Sequence, residues 1–227
     1  MFYDETKTIN ACDNDPSLIF ELLKEEHMEL LDRIISRKTI DINTVDNEGN
    51  NILMKLLKKG QFDIVLKHLK DKNLNINHQN NDGNTLAHIL LSIKSLRIVD
   101  VYNELRKIKE FDPNIKNNNG DTILDISVKN ENTYITSKVL CDDRFNEVGV
   151  MSFKKYYDAY VKNNAYGKYT KICNLELIVG SLSIRDVSPK VKQIINYFKE
   201  NFDIIKEEVQ NNKMKKIDLY LDEVLYD

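Results

Sequence analysis

The stretch Asp46-Asn47-Glu48-Gly49-Asn50-Asn51-Ile52-Leu53 decides how the rest of the chain is read, because it returns twice. It recurs as Asn80-Asn81-Asp82-Gly83-Asn84-Thr85-Leu86-Ala87 and again as Asn117-Asn118-Asn119-Gly120-Asp121-Thr122-Ile123-Leu124. Gly83 follows Gly49 by 34 residues, and Gly120 follows Gly83 by 37. Self-similarity at such a period marks a repeat architecture, in which each unit buries its apolar face only against its neighbours.

Each copy has one physical grammar. A polar tip ends in Gly, which takes a left-handed turn conformation at no steric cost, and Asn or Thr then caps a short apolar helix. After the first tip, Ile52, Leu53, Leu56 and Leu57 form a helical stripe. Lys58, Lys59 and Gly60 interrupt it, and Phe62, Ile64, Val65, Leu66 and Leu69 supply a second. The period therefore holds one helix-turn-helix. Leu74-Asn75-Ile76-Asn77 closes the first unit, echoed upstream by Ile40-Asp41-Ile42-Asn43 and downstream by Phe111-Asp112-Pro113-Asn114-Ile115.

These copies resemble the ankyrin-repeat family, whose units of about 33 residues carry a D-x-x-G-x-T-P-L-H-x-A signature. Gly49, Gly83 and Gly120 hold the glycine, Thr85 and Thr122 the threonine, Leu53 and Leu124 the leucine, and His88 the histidine. Ile52, Leu86 and Ile123 replace the motif proline, and Met54 and Asp125 stand where histidine is expected. By the resemblance, His88 hydrogen-bonds between neighbouring tips. The third unit is expected to be less regular, with Ile126 and Ser127 weakening its first helix. The longer second period predicts a lengthened second helix near residues 103–108.

The expected fold is all-α: an ankyrin-repeat helical solenoid with a helical N-terminal cap and a helical C-terminal extension. Residues 1–43 read as an arm and capping helix pair, in which Pro16 and Ser17 open a helix with Leu18, Ile19, Leu22 and Leu23 inward. Met28, Leu30, Leu31, Ile34 and Ile35 form its partner. Residues 44–147 hold the three divergent repeats. Residues 148–184 read as a degenerate fourth, with Phe153, Tyr156, Tyr157 and Tyr160 at helical spacing as a core stripe and Leu175, Leu177 and Ile178 beyond the break at 163–167. Residues 185–227 form the extension. There Val191, Ile195, Phe198, Phe202, Ile205 and Val209 make a heptad-like stripe on one longer helix, followed by a short helix with Ile217, Leu221, Val224 and Leu225.

Composition narrows the class of activity. With 33 basic and 36 acidic residues the formal charge is −3, so nothing overall drives the chain toward nucleic acid or an anionic membrane. The only tight basic group near the tail, Lys213, Lys215 and Lys216, lies among Glu207, Glu208, Asp218 and Asp222. Three separated cysteines, Cys12, Cys141 and Cys173, read as small apolar thiols of a reducing compartment. Residues 1–12 carry no basic region followed by an apolar run, and no window approaches about 18 apolar residues, so the chain is expected to be soluble and cytoplasmic. Excess Lys, Asn and Ile matches adenine/thymine-rich coding, and individual surface Asn residues accordingly receive little weight.

Reactive constellations are missing from the sequence. The histidines, His27, His68, His78 and His88, lack H-E-x-x-H or Cys/His spacing, and no phosphate-binding glycine loop or G-x-S-x-G elbow occurs. No catalytic, cofactor or metal site is expected.

The resemblance implies a scaffold or adaptor that binds a partner protein through turn tips and first helices. The implied contact residues are Val45, Asn47, Glu48 and Asn50; Gln79, Asn81, Asp82 and Asn84; and Lys116, Asn118, Asn119 and Asp121. Lys58, Lys59, Ser92, Ile93 and Lys129 extend that surface along the helix ends. With this composition the resemblance also suggests a factor of a large DNA virus or intracellular microbe acting in a host cytoplasm. Two alternatives stand beside it. Residues 187–195 faintly resemble the start of an F-box-like segment, which implies ubiquitin-ligase recruitment. The helix over 188–211 otherwise mediates homo-oligomers.

Overall fold

The computed structural model describes residues 5–24, 27–130, 133–140, 157–162, 173–176 and 189–211, with residues 142, 144, 154, 179, 180, 219, 220 and 223. The chain divides into two compact units, Met1–Asp121 and Thr122–Asp227, with the boundary inside the third motif copy. Among the described residues the elements are helical, apart from one isolated bridge between Val45 and Asn51. Several expected features lie outside these residues: Cys141, Phe153, Tyr156, the break at 163–167, Leu177, Ile178, the start of the F-box-like segment at 187–188, and everything from Lys213 to Lys216 and in the last short helix except 219, 220 and 223.

The first unit opens with α1 (Glu5–Asn14), a short 3-10 turn at Pro16–Leu18, then α2 (Ile19–Lys24) and α3 (Met28–Arg37). The first repeat supplies α4 (Ile52–Lys58) and α5 (Phe62–His68), and the second α6 (Leu86–Ser92) and α7 (Ile98–Leu105). Packing runs α2 on α4 on α6 in one layer and α3 on α5 on α7 in the other. The N-terminal pair thus continues both layers without a tip of its own.

Burial follows the apolar spacing. Ile52, Leu53, Leu56 and Leu57 on α4, and Leu86, Ala87, Leu90 and Leu91 on α6, are buried, as are Ile19, Leu22, Leu23, Leu31 and Ile34 in the cap. Each fully buried Leu or Ile contributes roughly 1.5–3 kcal/mol relative to exposure. Leu18 and Met28, expected inward, are half-buried, while Phe20, Ile9 and Cys12 close this end of the core. The helical register of Ile9 and Cys12, three apart, was the sequence signal for α1. Burial, with Asp13 and Asp15 nearby, raises the Cys12 thiol above its ordinary value. Cys173, by contrast, is exposed, so the small-apolar reading holds for Cys12 and not for Cys173.

The extra length of the second period is placed differently from the expectation. Helix α7 gains one residue over α5, while the connection before it grows from three residues, 59–61, to five, 93–97. A longer helix must match its neighbour along its whole length, whereas a surface loop absorbs residues with little cost. The loop is held by Arg97, which pairs both guanidinium nitrogens with Asp63 and lies over the Phe62 ring at 5.8 Å.

In the second unit, α8 (Ile123–Lys129) packs on α9 (Thr133–Leu140). A π-helical turn at Asp158–Lys162 follows, and then α10 (Pro189–Glu200) and α11 (Phe202–Gln210). The expected single long helix is broken at Asn201, whose N–H and side-chain amide both donate to the Tyr197 carbonyl, an amide competing with the helix ladder. Of the stripe, Ile195, Phe198, Ile205 and Val209 are buried. Tyr157 is also fully buried and meets Phe198 edge-on at 6.3 Å, so this aromatic residue is core.

Candidate functional site: the tip ladder

The three tips fold alike because the residue at 46, 80 and 117 holds each of them. The N–H of Asp46, Asn80 and Asn117 donates to the carbonyl of Asn50, Asn84 and Asp121 respectively, and the glycine N–H returns to the carbonyl of the first residue. The same residue's side-chain Oδ1 then accepts two tip N–H groups, at 2.9 Å in the first copy, 3.1 and 2.9 Å in the second and 3.0 Å in the third. Gly49, Gly83 and Gly120 take φ between 74° and 78°.

Neighbouring tips are stitched by asparagine. Asn81 donates its N–H to the Glu48 carbonyl and its side-chain amide to the Asn47 carbonyl, and Asn118 repeats both bonds on Asp82 and Asn81. A Cβ on Gly49 would sit 2.5 Å from Asn81 Oδ1, and one on Gly83 2.5 Å from Asn118 Oδ1. These glycines therefore serve the turn and the close approach of the next tip.

A second row lies beneath. Asn80 Nδ2 donates to Asn50 Oδ1 and Asn117 Nδ2 to Asn84 Oδ1, each at 2.9 Å. This explains why the first tip begins with Asp and the next two with Asn. Both residues offer the Oδ1 that shapes the turn, but only the amide adds a donor for the preceding repeat. Asp46, at the first position, instead takes Lys55 at 2.7 Å. Burial alone would raise its carboxyl, but Lys55 and the N–H groups of Asn50 and Glu48 outweigh that and hold it below the ordinary 3.8.

A third row joins the closing segments. Asn43 donates to the Asn73 carbonyl and accepts from the Asn75 N–H, and Asn77 does the same with Glu110 and Asp112. The asparagines discounted as compositional drift are thus the repeat-to-repeat bonding of the first unit.

The histidines complete the stack. His88 Nδ1 accepts the Thr85 N–H, which assigns the proton to Nε2, and Nε2 donates to the Asp121 carbonyl of the next tip at 3.0 Å. His78 Nε2 donates to the Gly49 carbonyl at 2.7 Å. In the third copy Asp125 closes the same capping box with Thr122 but brings no second ring nitrogen.

The expected contact residues divide on this geometry. Asn47, Glu48, Gln79, Asn81, Asp82, Lys116, Asn118 and Asn119 are exposed tip residues, with Val45, Lys58, Lys59 and Ser92 also exposed in the first unit. Asn50, expected to be exposed, is 0% exposed and accepts from Asn80. Asn84, Ile93 and Asp121 are half-buried, the first and last tied into neighbouring repeats. Lys129 is exposed on α8 of the second unit. Among the described residues no group of three or more His, Cys, Asp or Glu side chains is placed to hold a metal. No described helix is long and apolar enough to cross a membrane.

The arrangement defines a stacked helical-repeat protein whose tips are hydrogen-bonded into a ladder. The family model described as ankyrin repeats (many copies) matches residues 34–90, a span containing the first two copies, and these residues are ankyrin repeats. Repeats of this family generally mediate protein–protein interaction. Comparison with curated proteins gave no match.

Proposed function

We propose that the chain is a non-enzymatic binding module that recognises a partner protein through the exposed tip side chains of its first unit. The observation that carries this reading is the tip ladder itself. Asn47, Glu48, Asn81, Asp82, Asn118 and Asn119 stand in register on a backbone fixed by three rows of hydrogen bonds, so a partner meets side chains that need no further ordering. Low ordering cost is what lets a polar surface bind at useful affinity. Lys58, Lys59 and Ser92 extend the surface along the first-helix layer. Asn50 contributes to rigidity and not to contact. The site of action on this reading is the cytoplasm.

The test is affinity capture from cell lysate with the wild-type chain and with a Glu48→Lys/Asp82→Lys/Asn119→Lys variant of unchanged circular dichroism. Loss of partners with the variant is expected. Recovery of the same partners at the same yield would reject the tip surface as the binding face.

A further inference from the structure

The ladder has an open end. Asn81 and Asn118 each spend two donors, the main-chain N–H and the side-chain amide, on two successive carbonyls of the tip before them. Asn47 occupies the same place in the first tip, with the same turn around it, and its two donors have no acceptor among the described residues. On that side lies a cleft of about 400 Å³ between α2, the first tip and α4, walled by Ser17, Phe20, Val45, Asn47 and Lys59 among others. Val45 leaves 44% of its surface exposed there, a large value for a β-branched apolar residue in a bridge.

The electrostatics of the cleft are uneven. Asp46 and Glu48 are drawn to Lys55, and Glu48 also to Lys58. Lys59, on the α4 wall, forms no ion pair among the described residues, while Glu21 stands on the α2 wall.

We infer that this cleft is a docking site for a peptide segment of a partner protein. The segment presents two successive main-chain carbonyls to Asn47, an apolar side chain to Val45 and Phe20, and an acidic side chain to Lys59. The internal repeats supply the template: the ligand takes the role toward Asn47 that residues 47 and 48 take toward Asn81. Main-chain bonding of this kind provides affinity, and the side-chain pockets provide selectivity. The occupant continues the ladder in the N-terminal direction; it shares Asn47 and Lys59 with the surface proposed above but reaches neither Asp82 nor Asn119, so changes at those two positions distinguish the two readings.

The test uses the full chain and a phage-displayed library of random 12-residue peptides, with the strongest binders synthesised and titrated by fluorescence anisotropy. Selected peptides are expected to share an apolar residue and an acidic residue at fixed spacing. They should weaken at least tenfold on Asn47→Ala, which keeps the carbonyl that Asn81 uses and so preserves the fold. Lys59→Glu should weaken them as well and be rescued by changing the peptide's acidic residue to Lys. Asp82→Lys/Asn119→Lys, outside the cleft, should leave Asn47-dependent binding within a fewfold, which separates this site from the tip row. In amide hydrogen exchange the free chain should show Asn47 exchanging fast and Asn81 and Asn118 protected, with Asn47 slowing when peptide is added. The inference is overturned if Asn47 is already as protected as Asn81, if the library yields no peptide sensitive to Asn47→Ala, or if the chain self-associates through this cleft in light scattering that Asn47→Ala abolishes.

Discussion

The second and third motif copies differ by few residues and behave differently. Gly83 is pressed against Asn118, and its helix begins with Thr85 and His88, whose ring closes a capping box and reaches the next tip. A Cβ on Gly120 would meet no described atom within 4 Å, and Thr122 and Asp125 close a capping box alone. Tip turn and helix cap are therefore local properties that both copies keep. The joint to a following tip needs the glycine's empty space, at Gly49 as at Gly83, and between the second and third tips the second ring nitrogen of His88 reinforces it.

The largest effect should come from the histidine. His88→Ala leaves the buried Thr85 N–H without its acceptor and takes from the Asp121 carbonyl its bond to the preceding repeat, leaving only that from Asn117, and a stability loss of about 2–4 kcal/mol in urea unfolding is expected. Asp125→Ala, losing only a cap, should cost about 1 kcal/mol. Equal losses at the two positions would remove the distinction between joint and cap.

Next come the glycines. Gly49→Ala and Gly83→Ala combine an unfavourable positive φ with a clash against asparagine and should each cost about 2 kcal/mol or more, whereas Gly120→Ala bears the φ cost alone, about 1 kcal/mol. Thermal unfolding of the three single variants ranks them. Gly120→Ala proving as damaging as Gly83→Ala would show a neighbour at the third tip that the geometry does not contain.

Asn80→Asp should come third. It keeps the Oδ1 that shapes the tip but replaces the donor to buried Asn50 with a second acceptor, for a loss of about 1–3 kcal/mol at neutral pH. The reciprocal Asp46→Asn, at the exposed end of the ladder, should cost under about 1 kcal/mol because an ion pair near the surface contributes little. A reversed order would mean that the lateral amide bond is not what selects Asn over Asp.

The smallest effect is the pH dependence of the ion pairs. Burial works to raise Asp32, but its bonds to Lys67 and His68 prevail and hold it below its ordinary 3.8, as Lys55 does for Asp46. A carboxyl whose folded value is depressed stabilises fully above its unfolded value and loses that contribution as pH falls through the folded one. Urea midpoints measured from about pH 5 down to about pH 3 should therefore fall more for the wild type than for Asp46→Asn. Parallel curves would show that the Asp46–Lys55 pair adds nothing.

Much of this was legible in the sequence. The Gly-Asn/Thr pairing fixed where tips end and helices begin, since turn and cap are set by residues within four positions of one another. The apolar spacing of Ile52, Leu53, Leu56 and Leu57 fixed which face is buried. The asparagines were harder, because their partners are 30 to 37 residues away and an Asn at a tip reads the same whether solvated or bonded to the next repeat. Asn50 shows the failure plainly: two residues from exposed Glu48, it is fully buried and bonded to Asn80. Residues 93–97 and the break at Asn201 were missed for a related reason, since loop or helix extension, and a polar interruption in a heptad stripe, have the same local pattern either way.

By itself the sequence determined the repeat, its period, the helix pairs and the kind of surface they present, all properties of short-range steric and hydrogen-bonding preference. Which asparagines are structural, which glycines must remain glycine, and that the ladder opens at Asn47 beside a cleft were decided only by tertiary structure. Those outcomes depend on which backbone groups of one repeat come within hydrogen-bonding distance of the next, and the stacking of units sets that distance.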